Sequence, residues 1–194
     1  FELYDLGFWE QAREAAARLR DRLARLDPQT IVSDSPEAVF MITKVWPEWG
    51  LSLPAPVLHA GEWLARILAE TGTALETAGE PLVYLDPSYL ARYLDMTEPP
   101  REALRRLGVR LVEWVRSRHE APPSGSFYGE QAGAWVRWAA EECLSAAQAA
   151  GAAGICTASP FDARNLSLAS GAEQRVQPLW RIAFERLVPG GVGR

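Results

Sequence analysis

The sequence has few residues suited to binding a metal or forming disulfides. Among 194 residues there are two cysteines, Cys143 and Cys156, and two histidines, His59 and His119. Two cysteines cannot build a disulfide framework or a four-cysteine metal site. Two histidines also leave few ligands for zinc. These counts exclude a disulfide-rich secreted domain and disfavour a self-contained zinc or iron–sulfur site.

Long apolar runs, excess positive charge and nucleotide-binding loops are missing as well. No apolar run approaches the roughly 18 residues of a membrane span. The net charge is −5, which disfavours a nucleic-acid partner, because such partners are held by lysine and arginine on phosphates. The chain contains no G-x-G-x-x-G or G-x-x-x-x-G-K phosphate loop and no G-x-S-x-G nucleophile elbow.

The patterns that are present alternate between helix and strand. Residues 8–26 and 131–152 carry apolar side chains at helical spacing among strong helix formers. Residues 81–86 are a short apolar run typical of a buried strand, and residues 109–115 alternate as a strand does. This alternation predicts an α/β fold with parallel sheets.

The sequence also contains an internal repeat. TIVSDSPEA (30–38) and GICTASPFD (154–162) align without a gap, which places Ser35 opposite Ser159. In each copy a strand leads to Ser-Pro, a typical helix N-cap followed by proline at the first helical position. We therefore predict two pseudo-symmetric units, each with a small parallel sheet flanked by helices. Residues 1–75 would form a partial first unit, 76–190 a second, and 191–194 a tail.

The two copies of the repeat are unequal at their front ends. About 45 residues, carrying two strands and a helix, precede the long helix of the second copy, whereas the first copy has almost nothing there. A parallel sheet is normally covered on both faces. We expect a partner chain, a second copy or an upstream segment to cover Phe1, Leu3, Phe8 and Trp9, so the chain as given should form a dimer or larger assembly.

A resemblance to a known family follows from residues 81–125. This stretch resembles the second half of the cysteine-rich CCG domain found in heterodisulfide reductases and in the iron–sulfur proteins of enzymes that oxidise glycerol 3-phosphate, glycolate and lactate. The residues that keep the family pattern are Asp86, Pro87, Tyr89, Leu90, Arg92, Tyr93, Pro100, Arg101, Arg118 and Gly125. In the first unit, Ser35 to Ala38, Trp46 to Glu48, and Leu58-His59 stand at the places of further family segments.

The departures from the family lie at its cysteines, which ligate iron–sulfur clusters or act as redox-active thiols. The corresponding positions here are Ser35, Ala38, Ser88, Pro123, Ser124, Ser159 and Asp162. Because such clusters require thiolate ligands, we expect no cluster and no other cofactor in this chain. We interpret Cys143 and Cys156 as small core residues.

The resemblance implies that a vestigial cluster pocket remains. Its candidate residues are Ser35, Ser88, Arg118, His119, Ser124, Ser159 and Asp162. Two interpretations of Ser35 and Ser159 stay open: each is a helix N-cap, or each marks an anion or cofactor site at a helix N-terminus. His119 either lines the pocket or is a loop residue without a role.

Three functions are compatible with this resemblance to oxidoreductases. The first is a cluster-free, non-catalytic structural or docking subunit of an iron–sulfur/flavin electron-transfer complex. The second is a redox component whose cluster ligands lie outside this chain. The third is an enzyme that binds a quinone or hydroxy acid in the emptied pocket. The first needs the fewest assumptions. It implies a protein partner, either another component of a redox complex or a second copy, in the cytoplasm or at a membrane surface through that partner.

Overall fold

The chain divides into two units, residues 1–59 and 60–194. The structure is a computed structural model that describes residues 1–124, 133–169 and 175–188. Gly125, one of the residues that keep the family pattern, and the predicted tail 191–194 lie outside the described residues.

The first unit is mainly helical around a short pair of parallel strands. Its elements are α1 (Glu2–Asp5), α2 (Trp9–Arg25), β1 (Ile31–Ser33), α3 (Pro36–Phe40), a π-helical turn (Met41–Val45), α4 (Trp46–Glu48) and β2 (Val57–His59). The two strands pair in register from Ile31 opposite Val57 to Ser33 opposite His59.

The core of the first unit forms where α2 meets the helical stretch after β1. Ala16 packs with Met41, Val45 and Trp46, each at most 6% exposed. The small alanine side chain on α2 allows this close packing against bulky neighbours. The long helix predicted over residues 8–26 is therefore confirmed as α2 and is amphipathic, as its spacing requires.

The second unit has a four-stranded parallel sheet in the order β4-β3-β5-β6. Its elements are α5 (Ala60–Glu70), β3 (Leu82–Leu85), a π-helical turn (Tyr89–Tyr93), α6 (Glu98–Arg106), β4 (Leu111–Val112), a 3-10 turn (Arg118–Glu120), α7 (Gly133–Ala149), β5 (Gly154–Thr157), α8 (Pro160–Ala169), β6 (Arg175–Pro178) and α9 (Leu179–Leu187).

Helices cover both faces of this sheet, which explains why its central strands are uniformly apolar. On one face, Leu82 and Tyr84 pack against apolar residues of α5, α6 and α9. On the other, Val83, Leu85 and Ile155 pack against α7 and α8. The predicted α/β class with small parallel sheets flanked by helices is confirmed.

The repeat seen in the sequence has a structural counterpart. β1 and β5 each pair in parallel with the next strand along the chain, β2 and β6. Each is followed, two residues later, by a helix with proline at its first position, Pro36 in α3 and Pro160 in α8. Ser35 and Ser159 therefore occupy equivalent topological positions. The first unit has two strands among its residues and the second has four among those described.

Two strands differ from the sequence-based prediction. The strand expected over 109–115 pairs only at Leu111 and Val112, because the side chains that follow turn to other partners. β6 (Arg175–Pro178) was not predicted from the sequence. None of the described helices is long and apolar enough to cross a lipid bilayer.

Candidate functional site

The carboxyl end of the second sheet is where this topology places a site. From β3, the chain crosses to β4 on one side and then returns to β5 on the other. The loops after β3 and β5 therefore diverge and leave a crevice, the usual ligand position in open α/β sheets. Asp86 directly follows β3 and Ser159 lies two residues after β5. Six of the seven predicted site residues belong to this unit, and Ser35 belongs to the first unit.

Three of the predicted residues are brought into direct contact after β5. The Ser159 hydroxyl accepts a hydrogen bond from the Asp162 backbone N–H at 3.2 Å. The Ser124 hydroxyl donates to Asp162 Oδ1 at 2.6 Å. All three residues are buried. The cluster fastens the loop that carries Ser124 to the first turn of α8.

Ser35 makes the same kind of bond in the first unit. Its hydroxyl accepts from the Ala38 N–H at 3.2 Å and donates to Glu37 at 2.9 Å. Burial raises the pKa of Glu37, although its hydrogen bonds with its own backbone and with Ser35 oppose that shift. Ser35 and Ser159 are thus both helix N-caps, as one of the two interpretations proposed, and such caps stabilise by about 1 kcal/mol.

A buried ion pair lies after β3. Asp86 and Arg101 of α6 are each about 1% exposed at their side chains. Asp86 accepts from Nη1 of Arg101, from Nη2 at 2.7 Å and from the Arg118 backbone N–H at 2.7 Å. Arg101 also donates to the Thr97 carbonyl at 2.8 Å and to Glu113 at 3.2 Å. Buried charges persist only with such compensation.

The charge state of Arg101 follows from these contacts. Burial lowers the pKa of its guanidinium, but the hydrogen bond and negative charge of Asp86 more than offset burial and raise it above its ordinary value. Arg101 therefore stays cationic and lies over the ring of Tyr84, 4.9 Å from its centroid. The pair ties α6 and the loop before Ser124 to the end of β3.

Arg118 and His119 do not direct their side chains to this pair. Arg118 contributes its backbone N–H to Asp86, while its guanidinium pairs with exposed Glu98 at 2.6 Å. Burial would raise the pKa of Glu98, but its bonds to Arg118 and Arg105 outweigh that effect and lower it. The His119 ring, about half exposed, contacts Asp95 at 2.9 Å. The remaining predicted residue, Ser88, precedes the π-helical turn without capping it.

Neither thiol of the chain resembles a cluster ligand. Cys156 in β5 and Cys143 in α7 are both 0% exposed and pack on opposite faces of the sheet. Burial raises the pKa of each thiol to about 12. Both are therefore protonated at neutral pH, whereas an iron–sulfur cluster needs several converging thiolates.

The donor atoms at the former cysteine positions do not fit a cluster either. The hydroxyls of Ser124 and Ser159 are engaged with Asp162. In the part of the chain that the structure describes, no group of three or more His, Cys, Asp or Glu side chains is placed to hold a metal ion. The residues present thus do not suit the group that the family resemblance implies.

Four residues at or near this edge were not among the seven predicted site residues: Tyr84, Asp86, Arg101 and Thr157. Asp86 and Arg101 were recognised only as pattern residues. The sequence feature that could have identified them as a pair is an acidic residue at the end of a strand followed by an arginine on the next helix. Thr157 Oγ1 and Tyr84 Oη are buried and have no hydrogen-bond partner among the described residues. Burial first, and then the charge of Asp86, raise the pKa of Tyr84 well above its ordinary value.

Comparison with known proteins points to one kind of relative. The chain is 30% identical over 132 residues to a Bacillus subtilis protein named "Probable iron-sulfur-binding oxidoreductase FadF", covering 67% of this chain and 18% of that protein. It is 32% identical over 133 residues to one of the subunits of the dihydromethanophenazine:CoB–CoM heterodisulfide reductase of Methanosarcina acetivorans, covering 66% of this chain and 32% of that subunit. In sequence, the chain is thus similar to a protein named as a probable iron–sulfur-binding oxidoreductase and to a heterodisulfide reductase subunit.

A third relative extends the same pattern. The chain is 32% identical over 114 residues to a "Probable membrane-anchored ferredoxin" of Chromohalobacter salexigens, covering 55% of this chain and 16% of that protein. The chain thus spans only 16 to 32% of these relatives. No protein-family profile matches it. A solved Yersinia pestis structure, described as a candidate Asp/Glu racemase, covers 93% of this chain and 74% of its own at 18% identity. Its TM-score is 0.40, too low to indicate a common fold.

Proposed function

We propose that this chain is a cluster-free CCG-like part of an iron–sulfur/flavin electron-transfer complex, with a structural or docking role. The contact of Ser124 and Ser159 with Asp162 carries the proposal, because it fills three aligned ligand positions with residues that are hydrogen-bonded to one another. The Ser124 hydroxyl donates to the Asp162 carboxylate, and the Asp162 backbone N–H donates to the Ser159 hydroxyl. The relatives named as a probable iron–sulfur-binding oxidoreductase and as a heterodisulfide reductase subunit support the setting. We place the chain in the cytoplasm, at the membrane surface through its partner, since one relative is named membrane-anchored.

The polar groups at the former ligand positions maintain the scaffold in this proposal. A cluster site that loses its thiolates would leave a polar cavity open to water. Here the loop carrying Ser124 is fixed by Asp162, and the loop before it is fixed by Asp86. The fold that surrounded the site is thereby held without a metal.

Exposed aromatic and aliphatic residues of the first unit support docking. Trp9 is 65% exposed, Phe8 51% and Leu3 40%. They lie close together in the sequence: Leu3 is in α1, Phe8 directly precedes α2, and Trp9 begins it. Apolar groups clustered at a surface are typical of protein–protein contacts. We propose that an electron-transfer subunit carrying flavin or an iron–sulfur cluster docks here.

The docking role can be tested on the natural polypeptide that carries this chain. We would isolate it anaerobically from its own cells and record the bound polypeptides and their flavin or cluster absorbance. We expect a cofactor-bearing partner with wild type and its loss with Trp9→Ser. The matched control is Trp180→Ser, since Trp180 is 55% exposed but lies in α9 of the second unit. Isolation without such a partner, or equal retention by both variants, would count against docking at α2.

A further inference from the structure

A cavity of about 440 Å³ lies in the second unit and is lined by none of the seven predicted site residues. It is bounded by the segment that follows β4 and by the last turns of α7 and the residue after them. Its apolar lining consists of Trp114, Val115, Pro122, Ala146, Ala149 and Ala150. Small-molecule sites are typically clefts of about 300–1,000 Å³ with apolar walls and few polar groups. Because Ala146, Ala149 and Ala150 have small side chains, they leave space that larger side chains at these positions would fill.

Two hydrogen-bond donors at this cavity have no acceptor among the described residues. Trp114 lines the cavity and is 7% exposed, and its indole N–H is buried without a partner. A buried donor left unpaired costs about 1–3 kcal/mol. Arg116 also lines the cavity, is exposed, and forms no ion pair or hydrogen bond within the described part of the chain. The described residues supply an oxygen acceptor to neither group.

The acidic residue at the cavity does not cancel the charge of Arg116. Glu113 lines the same cavity, but its carboxylate contacts Arg101 at 3.2 Å and Arg118 at 3.6 Å. Its carboxylate is thus engaged by two arginines, which also pair with Asp86 and Glu98. Among the described residues, the cavity therefore combines an apolar wall with a cation and a neutral donor that have no partner.

We propose that this cavity binds a small organic monocarboxylate. The hydrocarbon part would pack against Trp114 and the alanines of α7. The carboxylate would pair with Arg116 and accept from the Trp114 indole N–H. Charge-assisted bonds of this kind are stronger than neutral ones, and Arg matches a carboxylate with two parallel donors. This site does not depend on the proposed docking function.

The proposal can be tested by calorimetric titration of the chain with octanoate, and with octanol as a neutral probe of the same hydrocarbon body. We expect saturable octanoate binding that weakens about tenfold in Arg116→Gln, corresponding to one charged contact of about 1.4 kcal/mol. Octanol binding should not change in that variant. The control Arg110→Gln removes an exposed arginine from the same region that does not line the cavity. Equal octanoate affinity in the two variants would overturn the anionic assignment.

A second pair of variants tests the location. Ala149→Phe places a ring over the cavity and should abolish binding of both probes. Gln148→Phe, on an exposed neighbouring position of α7 that does not line the cavity, should leave binding unchanged. In ¹⁵N spectra, the indole signal that disappears in Trp114→Phe should shift on addition of octanoate to wild type. Absence of saturable octanoate binding, or octanoate binding by Ala149→Phe with wild-type affinity, would refute the site.

Discussion

The buried Asp86–Arg101 pair should be the most sensitive polar contact of the second unit. In Asp86→Asn the side chain keeps its size but loses its charge. Asp86 accepts three hydrogen bonds, two of them from a guanidinium that is about 1% exposed. The amide cannot accept all three, and its NH₂ group would face N–H donors. Arg101 would also be left buried with only half-exposed Glu113 as counter-charge.

The expected cost of Asp86→Asn is about 3–5 kcal/mol, the range measured when one partner of a buried ion pair is removed. The matched control is Glu98→Gln, which breaks exposed pairs with Arg105 and Arg118. Those pairs are screened by water, so that variant should lose less than about 1 kcal/mol. Urea unfolding followed by circular dichroism would give both free energies of unfolding, provided that the m-value is unchanged.

The double variant Asp86→Asn, Arg101→Gln separates the ion pair from general packing effects. It removes both charges, so no uncompensated cation remains buried. We expect it to be more stable than Asp86→Asn alone, because the two residues are directly coupled. A loss in Asp86→Asn no greater than in Glu98→Gln, or a double variant that simply adds two losses, would refute this reasoning.

Two further predictions concern backbone strain and the thiols. Gly108 has φ +73° and an added Cβ would clash with the Glu76 carbonyl, whereas Gly72, at φ +66°, has open space. Gly72→Ala should lower the free energy of unfolding by roughly 1 kcal/mol, the cost of a positive φ. Gly108→Ala should lower it by more, and thermal unfolding would measure both. Equal losses would contradict the close approach at Gly108. Cys143 and Cys156 should not react with a thiol reagent at pH 8 until the chain is unfolded, and reaction of the native chain would contradict their burial. Because folding raises both thiol pKa values from 9.0 to about 12, the folded chain keeps protons that the unfolded chain releases. Stability should then fall between about pH 9 and 12, by about 1.4 kcal/mol per pH unit for each thiol. A Cys143→Ala, Cys156→Ala variant should lose the thiols' share of this slope and keep the share above pH 10 that comes from the raised pKa of Tyr84.

Local signals in the sequence predicted much of the fold. The order strand, serine, proline, helix specifies a cap through residues adjacent in the chain, so Ser35 and Ser159 could be assigned as N-caps without tertiary information. The apolar run at 81–86 likewise predicted β3 because both faces of that strand are buried. These features depend on neighbours within a few residues.

The remaining features depend on contacts between distant segments. The apparent strand at 109–115 is cut short because Glu113 contacts Arg101 and Trp114 enters the core against α7. The pairing of Ser124 with Asp162 joins residues 38 apart, and Asp86 with Arg101 joins residues 15 apart. The helical and strand periodicities of the sequence do not indicate such pairs. Family resemblance placed most of these residues near a former cluster site, but it could not show that they bond to one another.

Iron and acid-labile sulfide content tests the central proposal, that this chain holds no iron–sulfur cluster, most directly. Both would be measured on the anaerobically purified chain after incubation with iron and sulfide. The comparison is a variant with cysteine restored at Ser88, Pro123, Ser124, Ser159 and Asp162, the aligned ligand positions of the second unit. We predict far less than one iron atom per chain in wild type, and iron with sulfide in the restored variant. One or more iron atoms with sulfide in the wild-type chain would contradict the proposal.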